Sequence, residues 1–159
     1  MRVLSPLPFL LLCVHSHVSP NHLAPFINPT GTYILKGTVK KNNITGHFGE
    51  LRVNMLDSQS VAFCFYLSSG YPDYSVASMM DTLHYEDNCI HLKPKRDSTC
   101  SLVLTFAYRS VDLMTIYKDP ATSCGFAPGV IVPATLNKIS SEVPMIQDFS
   151  TRGRSGDLK

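Results

Sequence analysis

The chain has 159 residues, of which 44% are hydrophobic and only 16% are charged. This balance excludes a disordered segment and a coiled coil, and the length favours one domain. The formal net charge of +2 comes from charges spread along the chain, which argues against nucleic acid as the main partner.

The first residues have the pattern of a secretory signal peptide. Arg2 precedes an apolar run that ends at Val14 and is too short for a membrane-spanning helix. The small residues Val14 and Ser16 place the cleavage site after Ser16, so residues 1–16 form the signal peptide. Cys13 raises the alternative of a lipid anchor, although the bulky residue before it argues against one. We therefore expect a secreted or periplasmic protein with no transmembrane segment in the mature chain.

Composition divides the mature chain into three parts. Residues 17–30 contain three prolines and are predicted to be an extended leader. Residues 150–159 are polar and contain glycine, which predicts a flexible tail. Between them, residues 31–149 contain short β-type runs separated by turn residues and no sustained helical period. This part is predicted to be a single all-β domain.

Eight candidate strands follow one another in this domain, a pattern typical of an antiparallel meander. They span 31–40, 45–56, 60–67, 76–85, 89–93, 100–107, 110–117 and 129–138. We expect a small barrel of about eight strands. Pro133 in the last run cannot donate a ladder hydrogen bond, so closure of the barrel is left open.

Three turns set the registers of neighbouring strands, because each register must place apolar residues on one face. The turns at 57–59, 87–88 and 108–109 give three sets of pairs: Met55–Val61, Val53–Phe63 and Leu51–Phe65; Tyr85–Ile90 and Leu83–Leu92; Phe106–Val111 and Leu104–Leu113. The same registers turn Cys64 outward and Cys100 inward. The bulky inward side chains are predicted to fill the interior; they are Tyr33, Phe63, Phe65, Leu104 and Phe106.

The hairpin around 87–88 also gives the sharpest candidate site. Its outward face would carry His84, Glu86, Cys89 and His91. Opposed residues on paired strands have Cβ atoms about 5 Å apart, which lets these side chains converge on one ion. Such ligands suit zinc or copper. The alternative is a set of polar residues on a solvated face, and because the spacing matches no established metal motif we expect no cofactor.

Four cysteines remain after the signal peptide, and in an exported chain they predict one or two disulfides. Cys100 begins an inward-facing strand and Cys124 lies in the loop before the last strand. A bridge between them would close a loop of about 25 residues. The pairing of Cys64 with Cys89 stays open, because a direct bridge would need a different strand order.

Motifs for catalysis are absent from the sequence. It contains no nucleophile elbow, zinc-protease motif or phosphate-binding loop, so we predict that the protein is not an enzyme. Tyr71 and Tyr74 lie in a loop with glycine and proline, which is a candidate protein-contact surface or an ordinary connection. Asn43 begins a formal N-glycosylation acceptor on a turn.

Three segments of the C-terminal half carry a family resemblance. A strand that opens with cysteine spans Cys100–Phe106, a Cys-Gly-Phe turn begins at Cys124, and a final strand covers 134–138. With Gly31-Thr-Tyr33 and Gly49-Glu-Leu-Arg-Val53, they resemble small exported bacterial β-barrel-like domains of unassigned function, many of them lipoproteins. The resemblance implies an exported barrel with a Cys100–Cys124 link and no catalytic residues. Ala127, Ala134 and Leu136 depart from the pattern.

Taken together, these features predict a monomeric, non-catalytic exported β-domain that binds a protein or small ligand outside the cytoplasm. A filled interior favours binding by the outer surface or the loops. One alternative is a lipocalin-like carrier of a small apolar ligand. The other is a metal-binding protein that uses the hairpin from His84 to His91.

Overall fold

A computed structural model describes residues 25–95, 97, 99–118 and 123–149. The predicted signal peptide with Cys13, residues 17–24 of the leader and the tail at 150–159 lie outside the described residues. The described part contains no α-helix and ten strands. These are β1 (Gly31–Leu35), β2 (Thr38–Lys40), β3 (Asn43–Thr45), β4 (Phe48–Asp57), β5 (Ser60–Ser68), β6 (Val76–Glu86), β7 (Cys89–Leu92), β8 (Cys100–Phe106), β9 (Ser110–Tyr117) and β10 (Ala134–Ser140).

Eight of the strands form one closed barrel in the order β1-β10-β9-β8-β7-β6-β5-β4. All neighbours in it are antiparallel, and β1 closes the ring by pairing with both β4 and β10. The predicted all-β meander is therefore confirmed, and the barrel is closed. Pro133 does not interrupt it, because β10 begins at Ala134 rather than at residue 129. The short strands β2 and β3 form a separate hairpin between β1 and β4.

The predicted registers hold at the turns after β4 and β8. Val53 pairs with Phe63 and Phe106 pairs with Val111, as the alternation of apolar residues requires. The turn after β4 is one residue tighter than expected, because a bulge before Asp57 lets this residue pair with Ser60.

The register after β6 is only half right. Tyr85 pairs with Ile90 as predicted, and Glu86 pairs with Cys89. Within the described residues these are the only pairs between β6 and β7, so the predicted pair Leu83–Leu92 is wrong. Beyond Tyr85 the described parts of the two strands form no further ladder, whereas β7 pairs along its length with β8 on its other edge. A cavity of about 440 Å³ lies between the first part of β6, residues 94–95 after β7, and residues 124–127.

The barrel interior is filled by side chains. The five bulky residues predicted to point inward are all buried, and Tyr33 and Tyr85 each meet the Phe106 ring edge-on at 5.7 Å between centroids. A cavity of about 10 Å³ remains among the core leucines and Phe65. That volume is about enough for one water molecule.

The two ends of the barrel are built differently. The turn end carries the tight turns after β4, β6 and β8, whereas the loop end carries the β2–β3 hairpin and the loops after β5, β7 and β9. At the loop end, residues 123–133 fold inward, and Val130 and Ile131 are both buried. Phe126 packs on Phe65 with 6.0 Å between ring centroids. The alternation of apolar residues predicts a strand through Val130 and Ile131. In the structure, this part of the chain instead closes the loop end of the barrel.

Candidate functional site

Residues 25–30 close the turn end, although composition assigned them to the leader. The Asn88 side chain, in the turn after β6, accepts a hydrogen bond from the Ile27 backbone N–H at 2.8 Å and donates one to the Pro25 carbonyl at 2.9 Å. Two inward tyrosines hold the same segment from inside the barrel. Tyr85 donates to the Ile27 carbonyl at 2.5 Å, and Tyr33 donates to the Pro29 carbonyl at 2.8 Å.

The local sequence explains why Asn88 can do this. Asp87 and Asn88 have φ angles of 50° and 60°, the left-handed pair that a tight two-residue hairpin requires. Asparagine tolerates that conformation, and its carboxamide offers both a donor and an acceptor. Here the side chain is turned inward and is buried, so a residue predicted only as a turn former also anchors the N-terminal segment.

The two tyrosines stay neutral well above physiological pH. Burial raises the pKa of Tyr33 well above its usual range, and the neighbouring Tyr85 raises it further. Burial also raises the pKa of Tyr85 to about 12, with a smaller contribution from Cys89. Both hydroxyls therefore remain hydrogen-bond donors to the carbonyls of residues 25–30.

Outside this closure lies an open groove of about 1140 Å³, here called the turn-end groove. It is lined by residues 26–28 and 30, by β4 and its turn (54–58), by the turn after β8 (108–109), and by residues 138–141 and 143. Five large apolar side chains in its lining are each more than half exposed: Phe26, Leu56, Tyr108, Ile139 and Val143. A cluster of this kind in a concave surface marks a binding site more often than scattered apolar residues do.

The charged lining of the groove is mainly basic. Lys138 has the inward parity of Leu136, and its Nζ lies 5.4 Å from the centroid of the Tyr33 ring. The Lys138 backbone N–H donates to the Arg109 carbonyl at 2.8 Å, which places the two basic residues side by side. Burial lowers the pKa of Lys138. Within the described part of the chain, neither side chain forms an ion pair.

Asp57 is the acidic residue in the lining of this groove. Its Oδ1 accepts a hydrogen bond from the Gln59 backbone N–H at 2.8 Å, so the carboxylate is engaged in the turn after β4. The groove can thus contact apolar side chains at its rim while two cations remain available for an acidic group.

In the described residues, the four candidate metal ligands do not form one group. His84, Glu86 and His91 are exposed, and His84 Nε2 lies 3.6 Å from Glu86 Oε2. Cys89 lies 3.6 Å from the Thr105 hydroxyl, on the side of the neighbouring strand β8. Because the described ladder between β6 and β7 ends after two pairs, it does not hold His84 opposite His91. Nowhere in the described ranges do three His, Cys, Asp or Glu side chains form a group that could hold a metal ion.

The tyrosine loop between β5 and β6 packs on the β2–β3 hairpin. The Tyr71 backbone N–H donates to the Ile44 carbonyl at 2.7 Å, and the Ile44 N–H donates to the Tyr74 hydroxyl at 3.2 Å. The Tyr74 ring meets Phe48, while the Tyr71 side chain is about half exposed. Tyr74 therefore fixes the loop, and Tyr71 is the member that can reach a partner. Asn43 lies beside this loop on the hairpin, and its glycosylation stays a prediction.

The structure contains the predicted disulfide between Cys100 and Cys124, with Cα atoms 5.1 Å apart. Cys64 and Cys89 are free thiols. Such a bridge is typical of an oxidising compartment outside the cytoplasm. In the described residues, no helix is long and apolar enough to cross a membrane.

Cys64 points away from the barrel interior, as predicted, yet it is fully buried. The C-terminal segment 141–149 crosses the outer face of β4 and β5 and covers it. Arg52 donates to the Met145 carbonyl at 3.3 Å and lies 5.1 Å from the Phe149 ring, which also packs on Tyr66. Burial raises the pKa of the Cys64 thiol, and a backbone hydrogen bond from Gln147 partly offsets this.

The sequence pattern does not predict the turn-end groove, because the groove combines residues from four separated segments. Two features of the sequence could have indicated it: the aromatic residue Tyr108 in a tight turn, and the basic residue Lys138 on the inward parity of the last strand. Comparison of the chain with protein-family models, curated proteins and solved structures gave no match in any of the three. The resemblance to exported bacterial β-domains therefore stays a prediction.

Proposed function

We propose that the protein is a non-catalytic binding domain that acts outside the cytoplasm and holds a segment of a partner protein in the turn-end groove. The observation that carries this proposal is the contrast between the filled interior and the large open groove. The interior leaves about 10 Å³, whereas the groove holds about 1140 Å³. Ligands bind preferentially in concave, partly apolar surfaces such as the turn-end groove.

A partner segment suits the groove better than an enclosed small apolar ligand does. The groove is open to solvent, and its apolar side chains alternate with hydrogen-bonding residues such as Asn54, Ser58 and Ser141. Peptide backbone and side chains can satisfy both kinds of surface. A lipocalin-like carrier would need an internal pocket, whereas the space left among the core leucines and Phe65 is about 10 Å³.

The location outside the cytoplasm rests on two features that agree. The N-terminal residues have the pattern of a signal peptide, and Cys100 and Cys124 are bridged. The tyrosine loop is a second candidate surface because Tyr71 is exposed beside a loop fixed by Tyr74. It presents less exposed apolar surface than the groove.

Site-specific photo-crosslinking tests the proposal. A photoreactive residue replaces Tyr108 in the groove or, as the matched control, the exposed Tyr117 at the opposite end of β9. Each protein is incubated with extracellular fluid or periplasmic extract from its source. We expect a defined crosslinked product from position 108. Excess unlabelled parent protein should suppress this product, whereas excess Tyr108→Ser protein should not. The same products from both positions, or none from position 108, would refute the groove as the binding surface.

A further inference from the structure

On the basis of the proposed function, we infer that the turn-end groove recognises an acidic side chain of the partner segment, held between Lys138 and Arg109. The Lys138 side chain follows the inward parity of β10, places its Nζ 5.4 Å from the centroid of the buried Tyr33 ring, and is itself half-buried. Sequestering a cation from water costs free energy unless an opposite charge approaches it.

That opposite charge is not supplied by the described part of this chain. Among the described residues, the charged groups lining the groove are Lys138, Arg109 and Asp57. The Asp57 carboxylate accepts from the Gln59 N–H in its own turn, and Arg109, like Lys138, forms no ion pair there. The groove therefore has an excess of positive charge at one place, which complements a carboxylate of the partner.

The two cations are also arranged to act together. The hydrogen bond from the Lys138 N–H to the Arg109 carbonyl fixes the backbone of the turn after β8 against β10. An arginine fork and a lysine ammonium from adjacent backbones can both donate to one carboxylate, and such charge-assisted hydrogen bonds are among the stronger ones in proteins.

The side chains next to the two cations determine which kind of carboxylate-bearing ligand fits the groove. Tyr108 and Ile139, the neighbours of Arg109 and Lys138 in sequence, are exposed in the same groove. An acidic residue flanked by apolar residues in an extended peptide would place its carboxylate on the cations and its neighbours on these side chains. The acyl chain of a fatty acid would need enclosure, which this open groove does not provide.

Short random peptides displayed on phage and selected on the immobilised full-length protein test this inference. The selected peptides are then synthesised, and their affinity is measured by fluorescence anisotropy. We expect them to share Asp or Glu beside apolar residues. Arg109→Gln and Lys138→Gln should each weaken binding about tenfold, and Glu→Gln in the peptide should have the same effect. The double change of protein and peptide should cost little more than either single change.

Control variants distinguish a failure of the acidic anchor from a failure of the proposed function. Lys36→Gln removes the same charge from an exposed position at the loop end and should leave affinity unchanged. If Tyr108→Ser weakens binding but neither cation variant nor the acid-to-amide change does, the acidic anchor is wrong and the proposed function stands. If Tyr108→Ser does not change peptide binding, the acidic anchor and the proposed function are both wrong. The same conclusion follows if the fatty acid decanoate binds to the protein and no peptide does. Circular dichroism and thermal unfolding of each variant confirm that the barrel is intact.

Discussion

The Asn88 carboxamide oxygen and the Tyr85 hydroxyl lie 3.2 Å apart, and both bind the backbone of Ile27. One residue belongs to a tight turn and the other to the end of a strand, yet together they fix a segment 58 to 61 positions earlier in the chain. The stability of the turn end therefore depends on a pair that lies within a single hairpin.

Replacing Asn88 by glycine should destabilise the protein. Glycine adopts the left-handed φ of this position, so the change removes the side-chain hydrogen bonds to residues 25–27 without straining the turn. We expect a loss of about 2 kcal/mol in the free energy of unfolding, measured by urea denaturation. Asp87→Gly is the matched control, because it has the same backbone requirement and should change stability by less than about 0.5 kcal/mol. Equal losses in both variants would mean that the side chain of Asn88 does not anchor the segment.

Reduction of the Cys100–Cys124 bridge should lower stability. The bridge spans 24 positions and ties the loop that covers the loop end to the start of β8. Chain-entropy estimates for a loop of this length give about 3 kcal/mol. We expect the urea midpoint of the native protein to fall when a reductant is added. The double variant Cys100→Ala, Cys124→Ala should not respond to the reductant, and a variant as stable as the oxidised parent would contradict the expectation.

The Cys64 thiol should be protected by the C-terminal segment. It is fully buried, whereas Cys89 is partly exposed, so a thiol reagent should label Cys89 first. Phe149→Ala removes the ring that packs on Tyr66 and Arg52 and should speed the labelling of Cys64 several-fold, since local opening becomes easier. Met145→Ala is the control, because that side chain is exposed. Peptide mass spectrometry measures both rates; protection that is unchanged in Phe149→Ala would show that the segment is held by other contacts.

Stability should fall at alkaline pH because of the buried tyrosines. The ordinary tyrosine pKa is 10.0, and in the folded protein that of Tyr85 is about 12. As pH rises, the unfolded chain therefore loses this proton before the folded protein does. The contribution of Tyr85 to the free energy of unfolding is complete below pH 10.0 and is lost as pH rises toward about 12. Urea denaturation across this range should show a shallower decline for Tyr85→Phe than for the parent.

The comparison between variants isolates Tyr85 from other groups that titrate nearby. Tyr33 and Cys64 shift stability in the same direction and Lys138 in the opposite direction, and all three are present in parent and variant; Tyr85→Phe also removes the part of the rise in the Tyr33 pKa that comes from Tyr85. Tyr108→Phe, at an exposed position, should follow the parent curve. A Tyr85→Phe curve parallel to that of the parent would rule out this residue as the source of the decline.

The strand pairs were predictable wherever apolar alternation was long. Val53 and Phe63 leave one workable register, since a slip by one residue would turn the apolar faces outward. Alternation carries no information about side chains that leave the ladder, so Val130 and Ile131 were assigned to a strand although they cover an end of the barrel. The partial pairing of β6 with β7 was missed for a similar reason, because a turn sets the first pairs of a hairpin and tertiary packing decides how far it extends.

The candidate site was less predictable than the fold. The groove depends on the approach of Phe26, Leu56, Tyr108 and Ile139, which belong to elements that share no local pattern. The alternative of a metal site depended on placing His84 opposite His91, and in the described residues the ladder between β6 and β7 ends after two pairs. The disulfide could be predicted because the inward parity of Cys100 and the position of Cys124 in the loop before the last strand can both be read from the sequence.

The anchoring of residues 25–30 bears on how the protein should be truncated for experiments. A recombinant chain that starts at Gly31, where the first strand begins, would leave the hydroxyls of Tyr33 and Tyr85 without their carbonyl acceptors. It would also uncover aromatic rings that the native molecule shields, which invites self-association. Expression vectors should therefore keep Pro25 and everything after it, with any affinity tag placed upstream.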